Sequence, residues 1–307
     1  MIQPEKPENG RLKILFILNR KSGNRNLNDL LEIIEQKSKS HPYEYSTYFL
    51  DTFSSDLIRK EIFNYKPNIV AVAGGDGSIN LIASILAGTQ IPLAIIPFGS
   101  ANGMAKDLEI PVDIKESIKI LLTGSIKKID LIKINDRTCL HLADVGLNAR
   151  VVKRFEKDIK RGLLTYARHL IGEMFFLKNY VFHIVYDGKK IRKKGVSITF
   201  ANASKYGTGA VINPEGQLDD GKFEIVLVKP FPRIKLFSIA WKMFSNKLHT
   251  SDYVEIFSCK KAVVYSNKKT TLQIDGEVIG KVKEIRLESQ EKVLNIIVPH
   301  YHTSKHS

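Results

Sequence analysis

Three things are scarce in this sequence, and each shortage excludes a class of protein. Among 307 residues only Cys139 and Cys259 are cysteines; they are far apart and lack metal-ligand spacing, so we expect a reducing, cytoplasmic setting. The longest apolar runs, such as 12–18 and 93–98, are too short to span a bilayer as helices. The first ten residues have neither the basic start nor the apolar stretch of a signal peptide.

Acidic residues are also in short supply. The chain has 32 Asp and Glu against 47 Lys and Arg, which gives a formal net charge of +15. Such a surplus suits nucleic acid, an anionic membrane or a phosphate-bearing ligand, and charge alone does not separate these partners. The length predicts about two domains.

One glycine-rich stretch, residues 69–87, organises the first half of the chain. A β-branched apolar run ends in Gly74-Gly75-Asp76-Gly77-Ser78, and a helical period follows. A strand, a glycine turn and a helix start together predict an anion site, because free backbone N–H groups and the positive helix end point at the ligand. An aspartate in such a loop would repel bare phosphate and fits better beside a metal ion or a reacting hydroxyl.

Two further polar loops follow buried runs, at residues 19–24 and 98–103. Strand-like and helical segments alternate up to about residue 130, which predicts a parallel sheet with helices on both faces. Ligands bind at the carboxyl ends of such strands, so three loops there favour a nucleotide-phosphate cleft over plain turns. No P-loop, complete dinucleotide fingerprint or protein-kinase motif is present.

The motifs in these loops resemble those of the diacylglycerol kinase catalytic-domain superfamily, which includes bacterial soluble lipid kinases and sphingosine kinases, with NAD kinases as distant relatives. The resemblance rests on 74–78, on Asn19-x-x-Ser22-Gly23 before it and on Pro97-x-Gly99-Ser100-Ala101-Asn102 after it. It extends over nearly the whole chain through four later matches, at Asp130, 146–149, 206–221 and 273–277.

After about residue 130 the chain reads as short strand-like runs separated by turns, which predicts an antiparallel sandwich. The predicted fold class is therefore α/β plus all-β. An N-terminal three-layer α/β/α domain would comprise residues 10–130 with a C-terminal return at 292–303, and a β-sandwich domain would comprise 131–291. The return is also implied by the resemblance.

Several carboxylates in the second half are candidate site residues. Asp275 and Glu277 stand two apart at a strand end and would point the same way, although Asp-Gly is also the commonest hairpin-turn dipeptide. Asp219 and Asp220 carry the same ambiguity. The resemblance implies a metal site at Asp219 and Asp220 and a magnesium-supporting role for Asp130.

The resemblance implies an ATP- and Mg²⁺-dependent lipid kinase that phosphorylates a lipid hydroxyl, most simply diacylglycerol, in phospholipid metabolism. Asp275 is our expected general base, with Glu277 assisting at the metal and Asp76 as the competing base. The expected metal ligands are Asp76, Asp130, Glu277, Asp219 and Asp220. The expected nucleotide contacts are Asn19, Ser22, Gly23, Gly74, Gly75, Gly77, Ser78, Gly99, Ser100 and Asn102.

One departure from the pattern keeps alternatives open. Many bacterial members have aspartate after the asparagine of the third loop, whereas Gly103 follows Asn102 here. The Gly-Ser-x-Asn form is closer to sphingosine kinases, so a sphingoid base is the alternative substrate. An NAD kinase and a non-enzymatic nucleotide- or nucleic-acid-binding regulator are further alternatives; no recognition helix or aromatic RNA motif supports specific nucleic-acid binding.

Two basic amphipathic segments predict where partners would bind. Residues 151–194 hold 12 cations against four acids, and residues 232–248 place Ile234, Phe237, Trp241, Phe244 and Leu248 close to one helical face. Both segments are expected to pack on a core, with an added contact to an anionic membrane surface. We therefore expect a peripheral protein at the inner membrane surface with a membrane lipid as substrate, and a homodimer is left open.

Overall fold

The computed structural model describes residues 11–22, 26–41, 43–52, 54–147, 178–204, 211–214 and 216–300. The chain divides into two compact units, residues 1–129 with 293–307 and residues 130–292. Gly23, residues 148–149 and 206–209, and the 151–177 part of the basic segment lie outside the described residues.

The first unit alternates strands and helices, as the α/β prediction required. Its strands are β1 (Leu12–Leu18), β2 (Tyr43–Phe49), β3 (Ile69–Gly74) and β4 (Leu93–Pro97). Its helices are α1 (Leu27–Ser40), α2 (Ser55–Tyr65), α3 (Asp76–Leu86), α4 (Gly103–Asp107) and α5 (Ile114–Thr123).

The strands of this unit form a parallel sheet in the order β2-β1-β3-β4, joined beyond β4 by the last residues of β14 (Glu277–Val298). All six residues of β3 and all five of β4 are buried, as expected for strands covered on both faces. Because the strands run in one direction, the residues after β1, β3 and β4 meet at one edge. The three polar loops of the sequence are therefore brought together.

Three helices of this unit begin at a residue whose side chain caps the helix, and two do not. Asn26, Ser54 and Asp113 each cap a helix by accepting a backbone N–H two or three residues later. The N-cap of α3 is Gly75, which has no side chain to do so. The starts of α3 and α4 therefore both lack a side-chain cap, and both lie at the edge where the loops meet.

The second unit is built from antiparallel strands around its own core, which confirms the predicted β-sandwich-like class. Its main order is β12-β11-β10-β7-β13-β14, with β8 on β13 and β9 on β8. The strands are β5 (Ser125–Ile134), β6 (Arg137–Cys139), β7 (Leu142–Gly146), β8 (Tyr180–Tyr186), β9 (Lys189–Gly195), β10 (Ser197–Ala201), β11 (Phe223–Val228), β12 (Val254–Cys259), β13 (Lys261–Ile274) and β14.

The strands of this unit are longer than the sequence pattern indicated. Residues 262–266 and 271–274 read as two strands with a polar turn between, yet both belong to β13. The polar stretch lies where the register against β14 shifts, between Tyr265 and Thr270, so it is an irregularity in a continuous ladder. Residues 283–287 and 293–298 also read as two separate runs in the sequence, and both belong to β14.

A single helix, α6 (Leu236–Phe244), is described in the second unit, and it follows a 3₁₀ turn at Arg233–Lys235. Across the described ranges, no helix combines the length and the apolar character needed to cross a membrane.

Candidate active site

The start of α3 offers unpaired backbone donors. Gly75 is extended (φ −92°, ψ −177°), and its carbonyl accepts the N–H groups of Ser78 and Ile79 at 3.0 and 3.1 Å. The first N–H groups of a helix have no partner within it, and no side chain caps them here. Together with the helix dipole, this arrangement is suited to bind phosphate.

Asn19 and Ser78 stabilise the 74–78 loop from its buried side. Asn19 Nδ2 donates to Ser78 Oγ at 2.8 Å, and both residues are buried. A Cβ on Gly74 would lie 2.6 Å from Ser78 Cβ, so the glycine is required by the serine packed against it. We expected both polar side chains to contact nucleotide; in the structure they contact each other and tie the first loop to the second.

The third loop approaches the second through two glycines. A Cβ on Gly99 would collide with the Cα of Gly75, so only glycine allows the backbones to lie this close. Asn102 adopts a left-handed conformation (φ +50°), and its side chain both accepts from Gly99 N–H at 2.9 Å and donates to Gly99 O at 2.8 Å. Asn102 therefore shapes the loop and is buried, whereas Ser100 is exposed.

Asp76 connects the starts of two helices. Its Oδ1 accepts the N–H of Met104 at 3.2 Å, which joins α3 to α4. The residue is partly exposed, and among the described residues Oδ2 accepts no hydrogen bond. Asp76 thus keeps one free carboxylate oxygen at the loop edge, beside the unpaired amides of α3 and near Ser22, whose Oγ lies 3.3 Å from the Cβ position of Gly75.

Asp275 is held very differently, because backbone amides surround its carboxylate. Oδ1 accepts the N–H groups of His141 and Leu142 at 2.8 and 3.0 Å, and Oδ2 accepts that of Leu140 at 2.8 Å. Burial raises the pKa of Asp275, and the amide donors partly oppose that shift. Burial, followed by the charge of Asp275, also raises the pKa of Cys139, whose Sγ lies 3.5 Å from Oδ1.

Asp275 and Gly276 form a two-residue hairpin turn between β13 and β14, with φ of +47° and +88°. The hairpin alternative is the observed conformation. The expectation that Asp275 and Glu277 share a strand face was wrong, since Asp275 lies in the turn after β13 ends and only Glu277 lies in a strand. Glu277 is exposed.

Asp130 is buried, and its carboxylate joins two distant segments of the chain by hydrogen bonds. Its Oδ2 accepts the N–H of Gly221 and its Oδ1 that of Lys292, each at 2.6 Å, and its carbonyl accepts from Asn202 Nδ2 at 2.8 Å. With both carboxylate oxygens engaged by amides, Asp130 fixes the turn after Asp219 and Asp220 and is a poor metal ligand.

The metal site expected at Asp219 and Asp220 stays a prediction, and the structure shows a local role for one member of the pair. Asp220 Oδ1 accepts the N–H of Lys222 at 2.9 Å, which closes a local turn. In the described part of the chain, no group of three or more His, Cys, Asp or Glu side chains converges.

Sequence reasoning missed a buried network beneath the Asp275 turn. Asp144 is fully buried in β7 and accepts hydrogen bonds from Thr199 Oγ1 and, at 2.5 Å, from Gln273 Nε2. Gln273 Oε1 in turn accepts the N–H of Gly276 at 2.7 Å. The available signal was a carboxylate inside the otherwise apolar run 142–145, because a buried charge needs partners.

Comparisons with known proteins agree with this architecture. A family profile described as diacylglycerol kinase catalytic domain matches residues 13–134, and one described as YegS C-terminal NAD kinase beta sandwich-like domain matches residues 142–298. The crystal structure of a diacylglycerol kinase from Bacillus anthracis strain Sterne has the same fold, with a TM-score of 0.77 at 22% identity over 93% of this chain and 96% of that one.

Curated relatives are similar at modest identity. An uncharacterized protein from Synechocystis is 28% identical over 240 residues, which are 76% of this chain but only 55% of that protein. A diacylglycerol kinase from Staphylococcus aureus strain MRSA252 is 26% identical over 278 residues, covering 89% of this chain and 88% of that one.

Proposed function

Because the chain belongs to the diacylglycerol kinase catalytic-domain superfamily and is a lipid kinase, we propose that it transfers the terminal phosphoryl group of ATP to the hydroxyl of a membrane lipid. Diacylglycerol is the first candidate acceptor, since the relatives that match most of the chain carry that name. Mg²⁺ is the proposed metal.

The observation that carries the proposal is the uncapped start of α3. Gly75 and Gly99 bring two loops into backbone contact, and Asn19, Ser78 and Asn102 hold them from behind. This leaves amide donors and one carboxylate oxygen at the edge, the combination that phosphoryl transfer requires for positioning and charge stabilisation.

Asp76 fits a magnesium ion better than the other expected ligands do. Mg²⁺ in phosphoryl-transfer sites is held by one or two carboxylates together with substrate phosphates, and Asp76 Oδ2 is a free carboxylate oxygen beside the proposed phosphate position. Asp130 does not fit, because amides occupy both its oxygens. When bound, the ion would neutralise charge on the phosphates.

The same comparison bears on the general base. Asp275 was our first choice, but three amide donors occupy three of its roughly four acceptor positions and Cys139 Sγ lies 3.5 Å from Oδ1, which leaves little access for a substrate hydroxyl. Asp76 has the freer carboxylate. We therefore propose Asp76 as the base, with the metal ion and the hydroxyl proton at different acceptor positions of its carboxylate, of which the Met104 N–H takes one. Asp275 is proposed as the residue that shapes the turn preceding Glu277.

A sphingoid base is the second candidate acceptor, and Gly103 is the observation that favours it. Gly103 is buried at the start of α4 and supplies no carboxylate where many bacterial diacylglycerol kinases have one. The third loop is therefore less acidic than in those kinases, as in the Gly-Ser-x-Asn form of sphingosine kinases.

The test is transfer of labelled phosphate from ATP by the full-length protein to diacylglycerol, a sphingoid base and NAD, each with and without Mg²⁺. We expect labelled phosphatidic acid, dependence on Mg²⁺ and loss of the product in Asp76→Asn. Labelling of the sphingoid base alone would move the assignment to the second candidate. Labelling of NAD, or of none of the three, would overturn the proposal.

A further inference from the structure

The segment around α6 combines cations with exposed apolar side chains. Residues 229–251 contain five Lys or Arg and no acidic residue. Ile234 is 82% exposed and Trp241 is 74% exposed, which makes them two of the most exposed large apolar side chains in the described chain. We call the surface formed by Ile234, Ser238 and Trp241 the α6 face.

The opposite side of α6 is already packed. Ile239 and Leu248 are buried, and Met243 packs with them against the core that contains Leu142 and Val226. Leu248, which we expected beside Ile234 and Trp241, lies in a separate 3₁₀ turn after the helix has ended and points into this core. The hydrophobicity of the α6 face is therefore not needed to hold the helix on its own unit.

The exposed residues of the α6 face lie beside several lysines. Within α6, at about 100° per residue, Ser238 lies about 60° from Trp241 and Lys242 about 100° from it. Ile234 and Lys235 lie in the 3₁₀ turn that directly precedes the helix. Lys235 and Lys247 are exposed, and Lys242 Nζ reaches the Thr250 carbonyl at 2.8 Å. Lys229 is excluded from this set, because it pairs with Glu255 at 3.3 Å.

We propose that the α6 face is a docking surface for an anionic lipid bilayer. Ile234 and Trp241 would enter the interface while Lys235, Lys242 and Lys247 meet anionic headgroups, the arrangement typical of interfacial helices. Tryptophan suits this position because its ring is apolar and its N–H seeks a polar partner. The proposal concerns binding alone and does not rest on the phosphoryl transfer proposed above.

The charge of the α6 face favours a bilayer over two other occupants, a second copy of this chain and nucleic acid. A second copy would pair the face with itself across a two-fold axis, which would bring the same lysines together without an acidic partner. Nucleic acid would use the lysines but would leave Ile234 against phosphate and water. A bilayer satisfies both the lysines and the apolar side chains.

The chain carries its own reporter, because Trp241 is the only tryptophan. Emission of the full-length protein should shift to the blue with vesicles of phosphatidylcholine containing about a third phosphatidylglycerol, and lipids brominated on the acyl chains should quench it. Pure phosphatidylcholine should bind far less, and high salt should release the protein because it screens the headgroup attraction.

Variants locate the contact. Ile234→Ser keeps the reporter and should weaken vesicle binding at least about tenfold, since it removes buried apolar area. Lys235→Gln with Lys247→Gln should weaken it about 25-fold, from roughly 1 kcal/mol per cation near an anionic surface. Phe63→Ser is the matched control, because Phe63 is 75% exposed on α2 among residues of both charges, and it should bind like the unmodified protein.

Three results would overturn the proposal. The first is an emission that anionic vesicles leave unchanged. The second is an equal loss of binding in Phe63→Ser and Ile234→Ser, which would mean that the contact is not specific to α6. The third is a blue shift that follows protein concentration without vesicles and accompanies dimer formation in light scattering, which would assign the face to a second copy.

Discussion

The two units each contain an Asp-Gly pair at a turn, and the same dipeptide is used in opposite ways. Asp76 starts a helix, accepts one backbone N–H and keeps a free oxygen, whereas Asp275 lies in a left-handed hairpin turn and accepts three. Gly77 has ordinary backbone torsions, while Gly276 has φ of +88°. The difference teaches that backbone amides nearby, and not the dipeptide itself, decide whether a carboxylate is available for chemistry.

The sharpest way to break this comparison is Asp76→Asn. Asparagine keeps an oxygen that can accept the Met104 N–H, so the fold should be retained, but it removes the charge and the basic oxygen. We expect kcat to fall by about 1,000-fold, within the range that a general base contributes. Steady-state kinetics measure this change in kcat, and thermal unfolding of the variant is the control for folding. A kcat within tenfold of the unmodified enzyme would contradict the assignment.

Asp275→Asn is the counterpart and should act mainly on stability. The new amide N–H₂ would face either the Leu140 N–H or those of His141 and Leu142, so at least one buried donor loses its acceptor. We expect a loss of about 3 kcal/mol in the free energy of unfolding, from hydrogen bonds to a charged group.

The kcat of Asp275→Asn, calculated for the folded fraction of the protein, should change less than tenfold. The reverse result, a kcat reduced about 1,000-fold with little loss of stability in denaturant titrations, would restore Asp275 as the base.

Gly77 and Gly276, the glycines of the two Asp-Gly pairs, allow a matched comparison with a smaller expected effect. A Cβ on either would meet no atom within 4 Å, but only Gly276 has a backbone conformation that disfavours alanine. Gly276→Ala should cost about 1 kcal/mol of stability. Gly77→Ala should keep stability or raise it slightly and should instead raise the KM for ATP about tenfold, because its methyl group would occupy the space of the bound phosphates.

Thermal unfolding and ATP titration of both alanine variants separate these effects. An unchanged KM in Gly77→Ala would show that phosphate does not approach this amide.

The sequence pattern predicted the first unit better than the second, and the reason is physical. Buried parallel strands such as β3 can be predicted from continuous apolar runs in the sequence. The parallel topology then brings the loops that follow these strands together. The family motifs pointed to the residues of both turns, and the roles assigned to these residues stay predictions. No local pattern reports that Asn19 binds Ser78 or that the amides of 140–142 surround Asp275, because these contacts join residues 59 to 135 positions apart.

The smallest expected effect is a pH dependence that tests why Asp275 is held as it is. Burial raises its pKa above the ordinary value of 3.8 despite the three amides, so the folded state favours the protonated form. The stability from this group is therefore fully present below pH 3.8 and is lost as pH rises through the raised folded value. The advantage in unfolding free energy of the unmodified protein over Asp275→Asn, measured by urea titration, should accordingly shrink as the pH is raised above 4. If that advantage instead grew with pH, the amides would outweigh burial, and Asp275 would be an anchored anion even less suited to accept a proton than the comparison with Asp76 already suggests.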